Sequence, residues 1–163
     1  MWSSYQTRNS QKMPRKINIL LAYDKEPGRF YSENTQARLE AEPDFSVTTC
    51  GDAGKVLRYV NSRRFVFDII IIDGRLDNKG IPKYAPRARK SLDTGAYIYK
   101  QVRRKDQTKE VPVVMVTTNH SELVRLSVAA LSSDHHLAVT KAEASMDDSI
   151  IAAVRHFFPA NRV

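Results

Sequence analysis

The chain of 163 residues contains a single cysteine, Cys50. One cysteine excludes an internal disulfide framework and any metal cluster that is held by several thiolates. No apolar run approaches the roughly 20 residues of a membrane-spanning helix, and the first residues lack the apolar core of a signal peptide. These absences favour a cytoplasmic protein that has no membrane partner.

Acidic residues are in the minority in this chain. The sequence has 18 Asp and Glu against 26 Lys and Arg, which gives a formal net charge of +8. The excess is partly clustered, in residues 12–16, 79–90 and 103–109. Such a balance favours acidic partners, for example nucleic acid, anionic lipid or an acidic protein surface. The alternative is a solvated surface with an unusual charge balance.

Short apolar runs alternate with segments that have helical spacing. The predicted strands cover 17–22, 45–50, 67–73, 111–117 and 137–140. The predicted helices cover 30–42, 53–60, 96–102, 123–131 and 146–158. Five strands alternating with five helices predict an α/β fold, in which helices cover both faces of a parallel sheet. We expect a flavodoxin-like, doubly wound five-stranded sheet with the strand order 2-1-3-4-5.

Two segments depart from this alternation. Residues 1–16 are polar and basic without periodicity, which indicates a flexible leader ahead of one domain at 17–163. Residues 76–92 combine three Gly or Pro residues with several Lys and Arg and have no usable period. Because this stretch is long for a loop, we interpret it as a basic insertion that is functional or mobile.

Polar side chains follow three of the predicted strands. Asp73 closes the apolar run at 67–73, which is rich in β-branched residues, Thr117 closes the fourth strand, and Lys141 directly follows the fifth. The carboxyl ends of parallel strands meet at one edge of a sheet, where open α/β proteins bind ligands. The sequence therefore predicts that an acid, a hydroxyl and an amine converge at this edge.

Four stretches of the chain carry a family resemblance. They are LLAYDKEP at the end of the first strand, FDIIIIDGRL at the third, VPVVMVTT at the fourth and HLAVTK at the fifth. In this order, they make the chain resemble the receiver domain of two-component response regulators from about Lys16 to Phe158. The resemblance implies phosphorylation on an aspartate by a histidine kinase or a phosphotransfer protein. It also implies a domain that is not an enzyme, apart from self-catalysed phosphoryl transfer and dephosphorylation.

The resemblance assigns roles to the polar residues at the sheet edge. Asp73 matches the phosphoacceptor, whose carboxylate forms an acyl phosphate. Lys141 matches the lysine that contacts the phosphoryl group, as a compact point charge. Thr117 matches the switch hydroxyl, which donates to a phosphoryl oxygen and draws the following loop inward.

A divalent metal is also implied by the resemblance. Asp24, Asp73 and the backbone carbonyl of Arg75 match the protein ligands, and such oxygen ligands suit Mg²⁺. Lys25 stands where the second acid of the family is expected. Its ammonium would repel Mg²⁺, supply a built-in cation, or point to solvent, and the sequence leaves these alternatives open.

Two readings of the domain follow from these matches and departures. Asp73, Thr117 and Lys141 favour a signalling receiver that changes conformation on phosphorylation. Lys25 favours a pseudo-receiver, which acts as a phosphorylation-independent interaction module. Ala138 favours the same reading, because it stands where the family usually has the switch aromatic residue.

A third reading is contact with nucleic acid through the basic insertion at 76–92. It is less favoured, because no helix-turn-helix or other binding module follows Phe158. The output partner is not identified by the sequence. Dimerisation of the chain with a second copy is left open.

Overall fold

The computed structural model describes residues 15–24, 30–74, 76–82, 94–117, 136–140 and 146–159. The strands are β1 (Ile17–Ala22), β2 (Phe45–Cys50), β3 (Ile69–Asp73), β4 (Val113–Thr117) and β5 (His136–Thr140). The helices are α1 (Phe30–Glu40), α2 (Ala53–Val60), α3 (Thr94–Arg103) and α4 (Met146–Phe157). The helix predicted at 123–131 and the leader at 1–14 lie outside the described residues.

The five strands form one parallel sheet with the order β2-β1-β3-β4-β5, so the predicted order is confirmed. Ala22 pairs with Cys50 on one side and with Ile72 on the other. Asp73 pairs with Val116, and Thr117 pairs with Thr140. The carboxyl ends of the five strands therefore lie at one edge of the sheet, with β3 ending one residue beyond β1 and β4 one residue beyond β3.

Both faces of the sheet are covered by helices. Every residue of β3 is buried, because Ile70 and Ile72 pack into one apolar cluster and Ile69 and Ile71 pack into the other. The first cluster also includes buried residues of α2 and α3, and the second includes buried residues of α1 and α4. This arrangement explains why β3 is a continuous apolar run rather than an alternating one.

Polar contacts hold α1 in place. Of its apolar residues, Leu39 is fully buried but Ala37 is exposed. The buried Thr35 hydroxyl donates to the Asp147 carboxylate of α4 at 2.5 Å. Arg38 donates to Asp148 at 2.6 Å. The helix ends at Glu40, two residues before the predicted end.

Arg155 of α4 binds the turn between α1 and β2. Its guanidinium donates to both carboxylate oxygens of Asp44, at 2.5 and 2.8 Å, and to Glu42 at 2.7 Å. The same group lies over the ring of Phe45, 4.4 Å from its centroid. The hydrogen bonds from Arg155 hold the pKa of the Asp44 carboxyl below its usual range and raise the pKa of Arg155 further. This cluster thus joins the last helix to the start of the sheet.

Asp52 is the N-cap of α2. Its carboxylate accepts a hydrogen bond from the backbone N–H of Lys55 at 2.8 Å, which is the usual N-cap contact. Val56 and Val60 of this helix are fully buried. Within the described ranges, no helix is both long enough and apolar enough to cross a membrane.

The first part of the predicted insertion packs against α2. Leu76 and Ile81 are buried. The carbonyls of Asp77 and Lys79 accept hydrogen bonds from the N–H groups of Ala53 and Gly54, both at 2.8 Å. Residues 76–82 therefore satisfy the free donors at the start of α2. Residues 83–92 lie outside the described residues.

One close backbone approach fixes this contact. Gly80 has a φ of +84°, and a Cβ built on it would lie 2.6 Å from the Cα of Gly54. A side chain at Gly80 would thus meet both a disfavoured backbone conformation and a steric clash. Two facing glycines let the chain after β3 lie directly on the first turn of α2.

Candidate functional site

Asp73 lies at the carboxyl end of β3, in the middle of the sheet. Its side chain is buried, with 4% relative exposure. It is the only Asp, Glu, Lys or Arg that is buried among the described residues. Burial of a carboxylate is costly unless other groups compensate it, so acids at such positions usually have a specific role. The structure therefore puts the predicted phosphoacceptor where a reactive carboxylate would be sheltered from bulk water.

The backbone around Asp73 is held on two sides. The N–H of Gly74 donates to the carbonyl of Val116 at 2.8 Å, which continues the ladder between β3 and β4. The N–H of Leu76 donates to the carbonyl of Asp73 at 3.2 Å and closes a tight turn. These bonds fix the direction in which the chain leaves β3.

The start of α3 lies against this turn. A Cβ built on Gly95 would lie 2.9 Å from the Cα of Gly74 and 3.3 Å from the carbonyl oxygen of Asp73. Both distances are shorter than an ordinary carbon contact of about 3.5–4.0 Å. Only a glycine lets α3 approach the turn after Asp73 this closely.

Thr117 is the last residue of β4, next to β3 in the sheet. Since Val116 is the register partner of Asp73, the backbone of Thr117 lies one residue beyond the level of Asp73. Adjacent strands are about 4.8 Å apart. The fold thus brings the backbones of these two predicted site residues together.

Asp24 follows β1 by two residues and is half-buried. β1 is the other neighbour of β3, and Ala22 pairs with Ile72, so the chain passes the end of β3 before it reaches Asp24. The N–H of Tyr23 donates to the carbonyl of Cys50 at 3.1 Å and keeps the chain in the sheet up to that point. Asp24 and Asp73 therefore lie on adjacent strand ends.

Two further acids at this edge have structural roles. Asp52 caps α2 and also lies 3.5 Å from the ammonium of Lys55. Asp77 accepts a hydrogen bond from the N–H of Lys79 at 3.0 Å. The carboxylates of Asp52 and Asp77 thus stabilise local structure, and neither belongs to the predicted site.

Three predicted site residues, Lys141, Arg75 and Lys25, lie outside the described residues. Their roles remain predictions. Ala138, at the position of the missing switch aromatic, lies within β5 and pairs with Met115 of β4.

The donor set predicted for Mg²⁺ consists of two carboxylates and one backbone carbonyl. Among the described residues, no group of three or more His, Cys, Asp and Glu side chains could hold a metal ion. The predicted set does not require such a group, because its third ligand is a main-chain oxygen. The chemistry of Asp24 and Asp73 fits a hard cation that binds oxygen and keeps several waters.

Sequence reasoning missed the glycine contacts that surround this site. Gly54 and Gly95 both stand in the first turn of a helix, where they lower helix propensity without an obvious benefit. A glycine at such a position often marks a close backbone approach. This signal would have indicated that α2 and α3 both contact the chain that follows β3.

No family model matches the chain, and no curated protein has a detectably similar sequence. Solved structures do match it. The phosphorylated cyanobacterial phytochrome response regulator RcpA is 16% identical, with a TM-score of 0.62 over 91% of this chain and 97% of that chain. The non-phosphorylated HemR receiver domain from Leptospira biflexa is 19% identical, with a TM-score of 0.61 over 91% and 98%.

A third match carries a metal. The receiver domain of a sensor histidine kinase from Pseudomonas aeruginosa, with a magnesium ion coordinated in its active-site cleft, is 17% identical. Its TM-score is 0.56 over 89% of this chain and 99% of that chain. Identities this low are informative about the fold alone. The sheet order, the position of Asp73 and these matches lead to one conclusion: the chain has the fold of a response regulator receiver domain.

Proposed function

We propose that the chain is a phosphoacceptor receiver, which takes a phosphoryl group onto Asp73 from a histidine kinase or a phosphotransfer protein in the cytoplasm. The observation that carries the proposal is the buried Asp73 at the end of β3, whose backbone turn contacts β4 on one side and the start of α3 on the other. A carboxylate oxygen of Asp73 attacks phosphorus and forms a P–O bond. The P–N bond to the donor histidine breaks, and the histidine nitrogen takes a proton from solvent.

Neighbouring residues have defined tasks in this proposal. The Thr117 hydroxyl donates to a phosphoryl oxygen, and the Lys141 ammonium neutralises a second one. Asp24, Asp73 and the carbonyl of Arg75 would hold Mg²⁺. A bound Mg²⁺ would supply positive charge against the phosphoryl oxygens.

Lys25 and Ala138 support a second candidate, an interaction module with the receiver fold that works without phosphorylation. Ala138 has only a methyl side chain, so the coupling of a switch hydroxyl to an aromatic ring is missing at this position. Under this candidate, Asp73 is a structural residue of the sheet edge. The two candidates differ in one measurable property, the formation of an acyl phosphate on Asp73.

The test is intact-mass analysis of the full chain after incubation with acetyl phosphate, with and without Mg²⁺. The variants are Asp73→Asn and, as a matched control, Asp106→Asn, whose carboxylate is 98% exposed. A receiver gains the mass of one phosphoryl group, in the wild type and in the Asp106→Asn variant alone. Hydroxylamine removes this adduct, because it cleaves acyl phosphates and leaves phosphoserine and phosphothreonine intact.

The outcomes separate the candidates. An adduct that forms only with Mg²⁺ supports the proposal that Asp24 and Asp73 bind the metal. An adduct that forms in equal yield with and without Mg²⁺ supports the proposal that the Lys25 ammonium takes the place of the metal ion. No adduct from acetyl phosphate, and none from a panel of purified phosphohistidine donors, refutes the phosphoacceptor and leaves the interaction module.

A further inference from the structure

The far end of α2 carries a cationic surface that the phosphoacceptor site does not use. Residues 58–66, RYVNSRRFV, contain three arginines and no acid. α2 starts beside residues 77–79, at the carboxyl edge of the sheet. Its other end meets the amino edge, where the Asn18 side chain donates to the carbonyl of Val66 at 3.3 Å. We call the exposed side chains of residues 58–66 the α2 basic edge.

The arginines of the α2 basic edge have no acidic partner among the described residues. Arg58, Arg63 and Arg64 are exposed. In the part of the chain that the structure describes, no carboxylate lies within ion-pair distance of any of them. Arg15, Arg38 and Arg155, by contrast, each pair with an aspartate. The helix dipole accounts for Arg58 in the last turn of α2, but Arg63 and Arg64 lie beyond the helix end.

Exposed apolar side chains accompany these arginines. Tyr59 and Val66, at 38% and 59% relative exposure, are the two large hydrophobic residues that are exposed among the described residues. The Tyr59 ring packs edge-on against Phe67, with centroids 5.1 Å apart. The ring is therefore held in place from behind and remains accessible from the solvent side.

Backbone contacts order the chain that carries the arginines. The N–H groups of Asn61 and Ser62 donate to Leu57 and Tyr59 at 2.9 and 3.0 Å. The N–H of Arg64 donates to the Ser62 hydroxyl at 3.2 Å. A ligand would thus meet cations whose backbone is already fixed, which lowers the entropic cost of binding.

We propose that the α2 basic edge binds single-stranded nucleic acid. Arginine guanidinium groups form paired hydrogen bonds to phosphate oxygens and stack on planar bases. An exposed aromatic ring beside cations offers a stacking platform to an unpaired base, which a duplex cannot use. Two exposed apolar side chains provide too little apolar surface for membrane insertion. This surface lies at the opposite end of α2 from residues 77–79, and the proposal does not depend on phosphorylation of Asp73.

The test measures binding of fluorescein-labelled oligo(dT) and oligo(U) of about 12 nucleotides to the full chain by anisotropy. Salt is varied between about 50 and 200 mM. The double variant Arg63→Gln with Arg64→Gln removes two charges from the α2 basic edge. The matched control, Lys55→Gln with Lys79→Gln, removes two exposed charges at the other end of the same helix. Thermal unfolding checks that both variants are folded.

We expect the arginine variant to bind about tenfold more weakly and the slope of log K against log salt to fall by roughly 1.4. The lysine variant should lose less than about twofold. Tyr59→Leu should weaken binding more than Tyr59→Phe, which keeps the ring. Equal losses in the two double variants would overturn the proposal. Tighter binding to duplex of the same length, or binding to phosphatidylserine vesicles but to no oligonucleotide, would also overturn it.

Discussion

Replacement of Gly95 by alanine tests the close approach of α3 to the turn after Asp73. The added methyl would lie 2.8 Å from the Cε of Met115 and 2.9 Å from the Cα of Gly74. The Met115 methyl is at the end of a flexible side chain and can move away. The Gly74 Cα belongs to the backbone, and the N–H of Gly74 is hydrogen-bonded to the carbonyl of Val116. The Gly74 Cα can therefore move only if the whole turn after Asp73 moves.

The expected magnitude follows from two opposing effects. Overpacking of this kind costs about 1–3 kcal/mol. Alanine is favoured over glycine in a helix interior by up to about 1 kcal/mol, and the benefit is smaller in the first turn. We therefore expect Gly95→Ala to lower the free energy of unfolding by about 1–2 kcal/mol. Under the proposed function, it also slows phosphorylation of Asp73, because the carboxylate is displaced.

The assay is urea denaturation followed by circular dichroism, combined with the rate of acetyl phosphate labelling under conditions where the variant is folded. Ala96→Gly is the control, since it changes the neighbouring residue of α3 by the same methyl group in the opposite direction. It should destabilise by up to about 1 kcal/mol through helix propensity and leave the labelling rate unchanged. A Gly95→Ala variant that is more stable than the wild type would refute the close approach.

Three further predictions concern the contacts that hold the helices. Arg155→Met should destabilise by about 1–2 kcal/mol at neutral pH. Arg155 lowers the folded-state pKa of Asp44. The stabilisation by Arg155 is therefore fully present above the unfolded pKa of Asp44, about 3.9, and is lost as the pH falls through the folded pKa. If urea titrations show that Arg155→Met destabilises by the same amount down to pH 2, the pairing of Arg155 with Asp44 does not provide this stabilisation. Asp52→Ala should cost about 1 kcal/mol by loss of the N-cap, and Asp52→Asn, which keeps an acceptor oxygen, should recover most of it in thermal unfolding. Thr35→Val should cost about 1–2 kcal/mol, because the valine has the same shape but cannot donate to Asp147; equal stability by urea denaturation would show that this bond adds nothing.

The sheet could be predicted from the sequence because its signals are strong and redundant. The run at 69–72 consists of four isoleucines, all buried, and no amphipathic helix would present such a run. Once five strands alternate with helices, right-handed crossovers leave few orders. The position of Asp73 then follows from its place at the end of the third strand.

The contacts between backbones could not be predicted in the same way. The approach of Gly95 to Gly74 and the hydrogen bonds that the carbonyls of Asp77 and Lys79 accept from α2 involve main-chain atoms, so a glycine in the first turn of each helix is their main trace in residue type. Packing of α1 was also missed in part, because Thr35 and Arg38 hold this helix through polar contacts rather than through an apolar stripe. Register explains why Thr117 lies beside Asp73, whereas the roles of Lys141 and Lys25 stay predictions.

The position of α4 has a consequence for synthesis of the protein. Met146, Ile150, Ala153 and Val154 of this helix close the cluster that contains Ile19 of β1 and Ile71 of β3. Residues near the start of the chain therefore remain partly uncovered until the last helix has left the ribosome. A nascent chain that stops before residue 146 exposes one apolar face of its central strands, which is the kind of surface that chaperones bind and that aggregates. The apolar cluster between the sheet and α4 is thus completed only after α4 itself has been made.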